Sequence, residues 1–172
     1  KKYIFKKLCE EQGMIIEGKI TNIAIYDKNG NLLDATTDVI AHQVNCQGVM
    51  GSGVAKQIRE KWANVYTAYK AEYDLFTDLN KPLLGNWQLV QVNDHQYVAN
   101  LFGQDKYGYD NKRYASYDAI YEALTSLRQQ MMDDNLKSIA IPFRMSCDRG
   151  GADWKVLIAM FCSIFEETDI SI

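Results

Sequence analysis

Residues 38–55 constrain the possible fold of this chain more strongly than any other stretch. They read Asp-Val-Ile-Ala-His-Gln-Val-Asn-Cys-Gln-Gly-Val-Met-Gly-Ser-Gly-Val-Ala, and residues that favour a helix continue from Lys56. The apolar start is typical of a strand buried on both faces of a sheet. Gly48, Gly51 and Gly53 then form a loop whose backbone can approach a ligand closely, because glycine has no Cβ. A strand, a small-residue loop and a helix start leave backbone N–H groups free, so this segment predicts a site for a phosphate-bearing ligand.

The length and charge of the chain restrict the class of protein. Its 172 residues fit one domain with a substantial core, and no apolar run is long enough to cross a membrane. The net charge of -3 and the pI of about 5.4 argue against a general nucleic-acid binder, since such proteins present a basic face. The four cysteines include no Cys-x-x-Cys pair and have no histidine at zinc-finger spacing. We therefore expect reduced thiols, no metal site and a cytoplasmic location.

Strand patterns and helix patterns alternate along the chain. Apolar runs that favour strands occupy residues 38–44 and 138–141, and residues 87–92 and 97–101 form a hairpin pair. Because strands alternate with helices, we expect an α/β fold, a three-layer α/β/α sandwich with a mixed, mostly parallel central sheet.

The helices between these strands are predicted from their apolar spacing. One runs from Gly53 to Leu75 with a break near Trp62, and Ser116 is placed to cap another. The first of these helices carries a stripe assigned to the core, Tyr66, Tyr69 and Tyr73. A last helix is predicted to bury Val156, Leu157, Met160, Phe161 and Ile164.

Two loops each follow a strand and open a helix, and we call them the first jaw (residues 45–53) and the second jaw (residues 145–153). Both are rich in small residues. Ligands of open α/β sheets bind beyond the carboxyl ends of the strands. We therefore expect the two jaws to form one cleft at one end of the sheet.

These two loops, in this order, resemble those of a macro domain, the ADP-ribose-binding module. The matching segments are residues 40–45 with 51–55, and residues 141–154, which read Ile-Pro-Phe-Arg-Met-Ser-Cys-Asp-Arg-Gly-Gly-Ala-Asp-Trp. The His-Gln-Val-Asn-Cys form is similar to the branch with ADP-ribose 1″-phosphate phosphatases and terminal ADP-ribose glycohydrolases. The resemblance implies a macro domain over residues 22–172, with residues 1–21 as an N-terminal extension.

The resemblance also implies roles for individual residues. Asn45 matches the asparagine that hydrogen-bonds the distal ribose, and its amide can both donate and accept. Asn31 takes the place of an aspartate that binds adenine N6, with Gly18-Lys19 as an alternative that requires an insertion. The ligand is expected to contact Asn31, Asn45, Gly51, Ser52, Gly53, Val54, Gln104, Ser146, Cys147, Asp148, Arg149, Gly150 and Gly151.

The implied activity is hydrolysis at the distal ribose, of ADP-ribose 1″-phosphate or of an ADP-ribosyl group, without a cofactor. Asn45, His42 and Asp148 are the predicted catalytic residues, and the predicted partners are ADP-ribose, its derivatives and ADP-ribosylated macromolecules. The lysine of the related glycohydrolases falls here at Gln104, and their aspartate falls at Gly150. A non-catalytic reader of ADP-ribose is therefore the alternative function, and an α/β domain for another nucleotide or an RNA end is a third.

Several of these side chains have a second interpretation. His42 either activates water or packs under the first jaw as a hydrogen-bonded histidine. Asp148 and Arg149 either act on a phosphate or form a solvated pair, and the Asp148 carboxylate would repel a diphosphate unless it points away or Arg149 offsets its charge. Loop tyrosines can stack on a nucleotide or pack on their own loop, and these are Tyr107, Tyr109 and Tyr114.

Overall fold

A five-stranded sheet organises the protein in a computed structural model that describes residues 24–26, 31–165, 168 and 170. In chain order the strands are β1 (Ala24–Tyr26), β2 (Val39–Asn45), β3 (Trp87–Asn93), β4 (Gln96–Gln104) and β5 (Ile139–Pro142). The described helices are α1 (Gly53–Lys61), α2 (Ala63–Asp78), α3 (Tyr117–Asp133) and α4 (Trp154–Phe165), and a 3-10 helix covers Leu32–Asp34. The expected N-terminal extension at residues 1–21 lies outside the described residues.

The strands lie in the order β1-β5-β2-β4-β3, and each neighbouring pair is parallel except β3 with β4. On β2, Val39 and Ala41 pack into one core cluster with α3 and α4, whereas Ile40 and Val44 pack into a second cluster with α1 and α2. Burial on both faces explains the nearly continuous apolar run of this strand. The predicted three-layer α/β/α sandwich with a mixed, mostly parallel sheet is confirmed.

The predicted helix break and helix cap are both confirmed. Helix α1 ends at Lys61, and the backbone of Trp62 leaves the helical region at φ -131° and ψ 84° before α2 begins. The Ser116 hydroxyl accepts the N–H of Ala119 at 3.2 Å, which satisfies one of the free donors at the start of α3.

The predicted apolar face of α4 is wrong at one residue. Val156 is 37% exposed, whereas Leu157, Phe161 and Ile164 are buried. Since successive helical residues turn by about 100°, Val156 lies outside the arc that contains those three residues. No helix in the described part of the chain combines the length and the apolar character needed to cross a bilayer.

Candidate functional site

A cleft of about 460 Å³ opens at the carboxyl ends of β2, β4 and β5. Both jaws line it, together with the loop between β4 and α3. The jaws therefore meet in one cleft, as the sequence predicts. The predicted site residues in its lining are His42, Asn45, Gly51, Ser52, Gly53, Val54, Gln104, Ser146, Asp148, Arg149 and Gly150.

Three predicted binding residues lie outside this lining. Asn31 caps the 3-10 helix, where its Oδ1 accepts the N–H of Leu33 at 3.0 Å. Cys147 is buried, and its thiol lies 3.3 Å from a backbone carbonyl of its own loop. Gly151 packs against the loop after β4, because a Cβ there would lie 3.0 Å from Arg113 Cα. These contacts give all three residues a role within the fold, and their contact with a ligand stays a prediction.

Asn45 and Tyr69 hold the first jaw in its conformation. Asn45 Oδ1 accepts the N–H of Gln47 at 2.9 Å, and Asn45 Nδ2 donates to the carbonyl of Val49 at 2.8 Å. The Tyr69 hydroxyl lies 2.9 Å from Asn45 Oδ1 and accepts the N–H of Val49 at 2.9 Å. The Asn45 oxygen is therefore already engaged, and the second N–H of Nδ2 is the part of the amide that remains for a ligand.

Helix α1 begins where the first jaw ends, and its first turn faces the cleft. Gly53, Val54 and Ala55 line the cleft, and the first turn contains no acidic side chain. Gly53 has φ +58°, a conformation that glycine adopts at little cost. The unpaired N–H groups and the helix dipole favour an anion at this position, as the sequence predicts.

Two non-glycine residues in the left-handed region shape the start of the second jaw: Arg144 at φ 54°, which directly precedes it, and Ser146 at φ 67°, which lies within it. This turn brings the Ser146 carbonyl so close to Gly150 that a Cβ at Gly150 would lie 2.3 Å from it. The Gly150 carbonyl in turn accepts the N–H groups of Tyr114 and Ala115, both at 2.9 Å. The second jaw is therefore fixed to the loop after β4.

In the structure the cation beside Asp148 is Arg144. Asp148 Oδ1 lies 3.7 Å from Arg144 Nη2, because the left-handed turn brings Arg144 back towards it. The Arg149 guanidinium instead lies 4.9 Å from the centre of the Tyr109 ring. Tyr107 and Tyr109 both line the cleft and are 48% and 77% exposed, so a cation and two accessible rings lie at its rim.

His42 belongs to a buried chain of hydrogen bonds. Its Nε2 lies 2.6 Å from Asn100 Oδ1, Asn100 Nδ2 donates to Gln88 Oε1 at 3.0 Å, and Gln88 Nε2 donates to the carbonyl of Ala68 at 2.9 Å. Because the Ala68 carbonyl can only accept, the donor and the acceptor of each of these hydrogen bonds are determined. Asn100 must present its oxygen to His42, so His42 carries its proton on Nε2. Burial lowers the pKa of His42 to about 4, and the bond to Asn100 opposes this only in part. At pH 7 His42 is therefore neutral, with Nδ1 as an acceptor.

Gln104 and Gln43 lie side by side at the floor of the cleft. Gln43 Nε2 donates to Gln104 Oε1 at 2.5 Å, and Gln104 Nε2 donates to the carbonyl of Lys106 at 3.0 Å. Gly103 leaves room for this pair, since a Cβ there would lie 2.6 Å from Gln43 Oε1. Gln104 is thus a buried member of a polar network rather than a surface residue.

The cysteines near the cleft are not suited to act as nucleophiles. Burial raises the pKa of Cys46 to about 12, with the nearby Asp105 adding to the effect. Burial also raises the pKa of Cys147 to about 11. Both thiols are therefore protonated at pH 7. Within the described residues, no group of three or more His, Cys, Asp or Glu side chains could hold a metal ion.

Sequence reasoning missed three polar groups that shape the cleft: the Gln43 side chain, the Asn100 side chain and the Tyr69 hydroxyl. Gln43 and Asn100 each occupy a polar position within an apolar strand, and that contrast is the signal that could have identified them. Tyr69 was assigned to the core, where its ring does lie.

Comparisons of sequence agree with the geometry of the cleft. The sequence model of the macro domain family matches residues 41–161. A DNA ADP-ribosyl glycohydrolase of Mycobacterium tuberculosis is 28% identical over 142 residues, which cover 81% of this chain and 38% of that protein. A DNA ADP-ribosyl transferase-DNA ADP-ribosyl glycohydrolase fusion protein of Thermosipho africanus is 22% identical over 170 residues, which cover 91% of this chain and 42% of that protein. The chain thus spans less than half the length of these curated relatives.

Solved structures share the fold. The macrodomain of Mycobacterium tuberculosis DarG superposes with a TM-score of 0.72 at 23% identity, covering 87% of this chain and 95% of that one. Thermosipho africanus DarTG in complex with ADP-ribose gives a TM-score of 0.70 at 16% identity, covering 99% of this chain and 49% of that one. Since the family model covers more than half of the sequence, this chain belongs to the macro domain family.

Proposed function

We propose that this macro domain binds ADP-ribose and hydrolyses an ADP-ribosyl derivative at C1″, the anomeric carbon of the distal ribose. The observation that carries the proposal is the convergence of three features in one cleft. These are the free N–H groups at the start of α1, the Asn45 amide and the carboxylate of Asp148. A diphosphate, a ribose and a water molecule are the groups that such features can bind.

Binding rests on charge and on hydrogen-bond complementarity. The start of α1 supplies N–H donors and a partial positive charge for the diphosphate. Arg144 and Arg149 line the same cleft and add two formal positive charges. The second N–H of Asn45 Nδ2 donates to a hydroxyl of the distal ribose, with the first jaw held in place by Tyr69.

Hydrolysis requires a base that can take a proton from water. Among the described residues that line the cleft, Asp148 carries the one carboxylate, and its side chain is 81% exposed. We assign it the role of general base. His42 stays neutral because a buried imidazolium would be strongly disfavoured, and its Nδ1 is buried without a hydrogen-bond partner among the described residues, so His42 supports the floor of the cleft and does not take the proton. Asp148 takes one proton from the water as the water oxygen bonds to C1″, the bond from C1″ to the acceptor breaks, and Asp148 then returns that proton to the departing acceptor.

The acceptor from which ADP-ribose is removed is proposed from the relatives. The Mycobacterium tuberculosis relative, which is 28% identical, carries the name DNA ADP-ribosyl glycohydrolase. ADP-ribosylated DNA is therefore the first substrate to test, and ADP-ribosylated protein and ADP-ribose 1″-phosphate are the comparison substrates.

Titration calorimetry with ADP-ribose tests binding. We expect Gly53→Glu to abolish it, because a carboxylate would then occupy the anion site at the start of α1. Gly53→Ala is the matched control: no atom lies within 4 Å of a Cβ there, so it adds the strain of positive φ without the charge. Absence of binding by the unaltered protein, or equal affinities in Gly53→Glu and Gly53→Ala, would contradict the binding site.

Release of ADP-ribose from the three substrates tests catalysis. We expect Asp148→Asn to bind ADP-ribose with little change and to lose at least about a hundredfold in turnover, the usual contribution of a general base. Binding without turnover of any substrate by the unaltered protein would instead identify a reader. Turnover that is unchanged in Asp148→Asn would remove Asp148 from the mechanism and leave the binding proposal intact.

A further inference from the structure

Three polar side chains connect the end of β4, the end of β2 and the second jaw. The Ser146 hydroxyl donates to Gln43 Oε1 at 2.5 Å, Gln43 Nε2 donates to Gln104 Oε1 at 2.5 Å, and Gln104 Nε2 donates to the Lys106 carbonyl at 3.0 Å. We call this series the glutamine relay. It crosses the floor of the cleft, since Ser146, Gln43 and Gln104 all line it.

The direction of every bond in the glutamine relay follows from its last member. The Lys106 carbonyl can only accept, so Gln104 must present its NH₂ group to that carbonyl and its oxygen to Gln43. Gln43 must then present its NH₂ group to Gln104 and its oxygen to Ser146. The Ser146 hydroxyl therefore has its proton committed to Gln43, and only its lone pairs remain for a ligand.

The backbone of Ser146 indicates that the hydroxyl has a use. At φ 67° this residue is in the left-handed region, which disfavours every side chain and which glycine adopts freely. Strain of this kind persists where the surrounding structure holds the backbone in place, and it is concentrated at ligand-binding and active sites. A serine at such a position keeps a hydroxyl at the floor of the cleft that glycine would remove.

We propose that Ser146 is a specificity-determining residue whose Oγ accepts a hydrogen bond from a sugar hydroxyl of the ligand, and that Gln43 is the positioning residue that orients it. A phosphate oxygen at pH 7 has no proton to donate, so this contact selects ribose and not the diphosphate. The sugar is the distal ribose, because Gln104 pairs in register with Asn45, the proposed ribose contact. The inference rests on the proposed function, since it takes ADP-ribose as the ligand.

The test compares ADP-ribose with ADP, which lacks the distal ribose, by titration calorimetry. Loss of one neutral hydrogen bond lowers affinity by about three- to tenfold, and we expect this loss for ADP-ribose in Ser146→Gly. The affinity for ADP should stay within about twofold of that of the unaltered protein, since the diphosphate contacts are unchanged. Gln43→Ala should lose ADP-ribose affinity similarly, and the double variant should lose no more than either single variant.

Thermal unfolding separates this role from a purely structural one. In Ser146→Gly the relief of strain offsets the lost hydrogen bond, so we expect a Tm within about 3 °C of the unaltered protein. Ser146→Ala keeps the strain and loses the bond, so its Tm should be lower while its ADP-ribose affinity equals that of Ser146→Gly. The control is Asn135→Gly, which relieves a left-handed residue at φ 56° away from the cleft lining and should leave affinity unchanged.

The outcomes distinguish this inference from the proposed function. If the unaltered protein binds ADP-ribose and Ser146→Gly binds it equally well, the ribose contact is overturned and the proposed function stands. If affinity falls in proportion to Tm across the variants, Ser146 is structural only. Failure of the unaltered protein to bind ADP-ribose would overturn both. Hydrogen exchange measured by NMR tests the glutamine relay separately. The side-chain amide protons of Gln43 and Gln104 should exchange slowly with solvent in the unaltered protein and faster in Ser146→Gly.

Discussion

At the scale of single residues, the surroundings of a side chain decide which chemistry it can perform. A histidine beside a predicted ligand loop suggests proton transfer, because its ordinary pKa is near neutrality. His42, however, is buried, and its Nε2–H donates to Asn100. This bond is the first of a series of hydrogen bonds that ends at the Ala68 carbonyl. Burial lowers its pKa to about 4, so the residue holds a neutral acceptor in place rather than exchanging protons at pH 7.

This burial predicts how stability depends on pH. Below pH 6.5 the unfolded chain takes up a proton at His42, whereas the folded protein does so only near pH 4. The contribution of His42 to the free energy of unfolding is therefore complete above pH 6.5 and is lost as the pH falls towards 4. The difference between the two pKa values corresponds to about 3 kcal/mol.

Urea unfolding at pH 7 and at pH 5 measures the part of this contribution that is lost above pH 5, about 2 kcal/mol. We expect His42→Gln, whose amide can still donate to Asn100, to lose much less stability between the two pH values than the unaltered protein. The second histidine of the chain, His95, is exposed in the turn between β3 and β4, so His95→Gln should retain the full pH dependence. A pH dependence that persists in His42→Gln would show that carboxylates, and not His42, cause it.

At the scale of elements, helix α2 holds the first jaw in place through contacts of its tyrosine side chains. The Tyr69 ring stacks on Phe102 of β4 with 5.7 Å between ring centres, and its hydroxyl accepts the Val49 N–H. Gly48 adds to this contact, because its φ of +71° brings the backbone so close that a Cβ would lie 2.9 Å from Tyr73 Cδ1. The conformation of the first jaw therefore depends on a helix that does not itself line the cleft.

Tyr69→Phe tests this dependence. The ring and its stacking remain, but the Val49 N–H and the Asn45 oxygen each lose a partner, so we expect a loss of about 1–2 kcal/mol in stability. We also expect weaker binding of ADP-ribose and faster hydrogen exchange at the Val49 amide, which NMR can follow.

The matched control is Tyr66→Phe on the same helix. The Tyr66 ring is partly buried and faces the Arg59 guanidinium, 4.2 Å from the ring centre, and that contact does not need the hydroxyl. Its stability and its affinity for ADP-ribose should match those of the unaltered protein. Equal affinities in Tyr69→Phe and Tyr66→Phe would mean that the first jaw keeps its conformation without α2.

At the scale of the whole molecule, the sequence was sufficient to predict the architecture and the place of the cleft. Strand and helix periods are local properties, and the apolar run of β2 follows directly from burial on both faces. The two jaws could be assigned to one cleft because parallel strands end at the same edge of a sheet.

The polar networks of the cleft could not be predicted in the same way. His42 and Asn100 are 58 positions apart, and Gln43 and Ser146 are 103 positions apart, so no local pattern relates them. The ion pair between Asp148 and Arg144 could not be predicted for a different reason. Adjacency in sequence favoured Arg149, whereas two left-handed residues turn the loop so that Arg144 is the nearer cation.

The narrow space at Gly103 has a consequence for how this cleft can change over evolutionary time. A side chain at that position would meet Gln43 Oε1 at 2.6 Å and Ile120 Cγ1 at 2.7 Å. A methyl group at 103 therefore requires the side chains of both residue 43 and residue 120 to move or to become shorter. A library that varies residue 103 should therefore vary residues 43 and 120 with it, because a larger residue at 103 fits only when both neighbours make room.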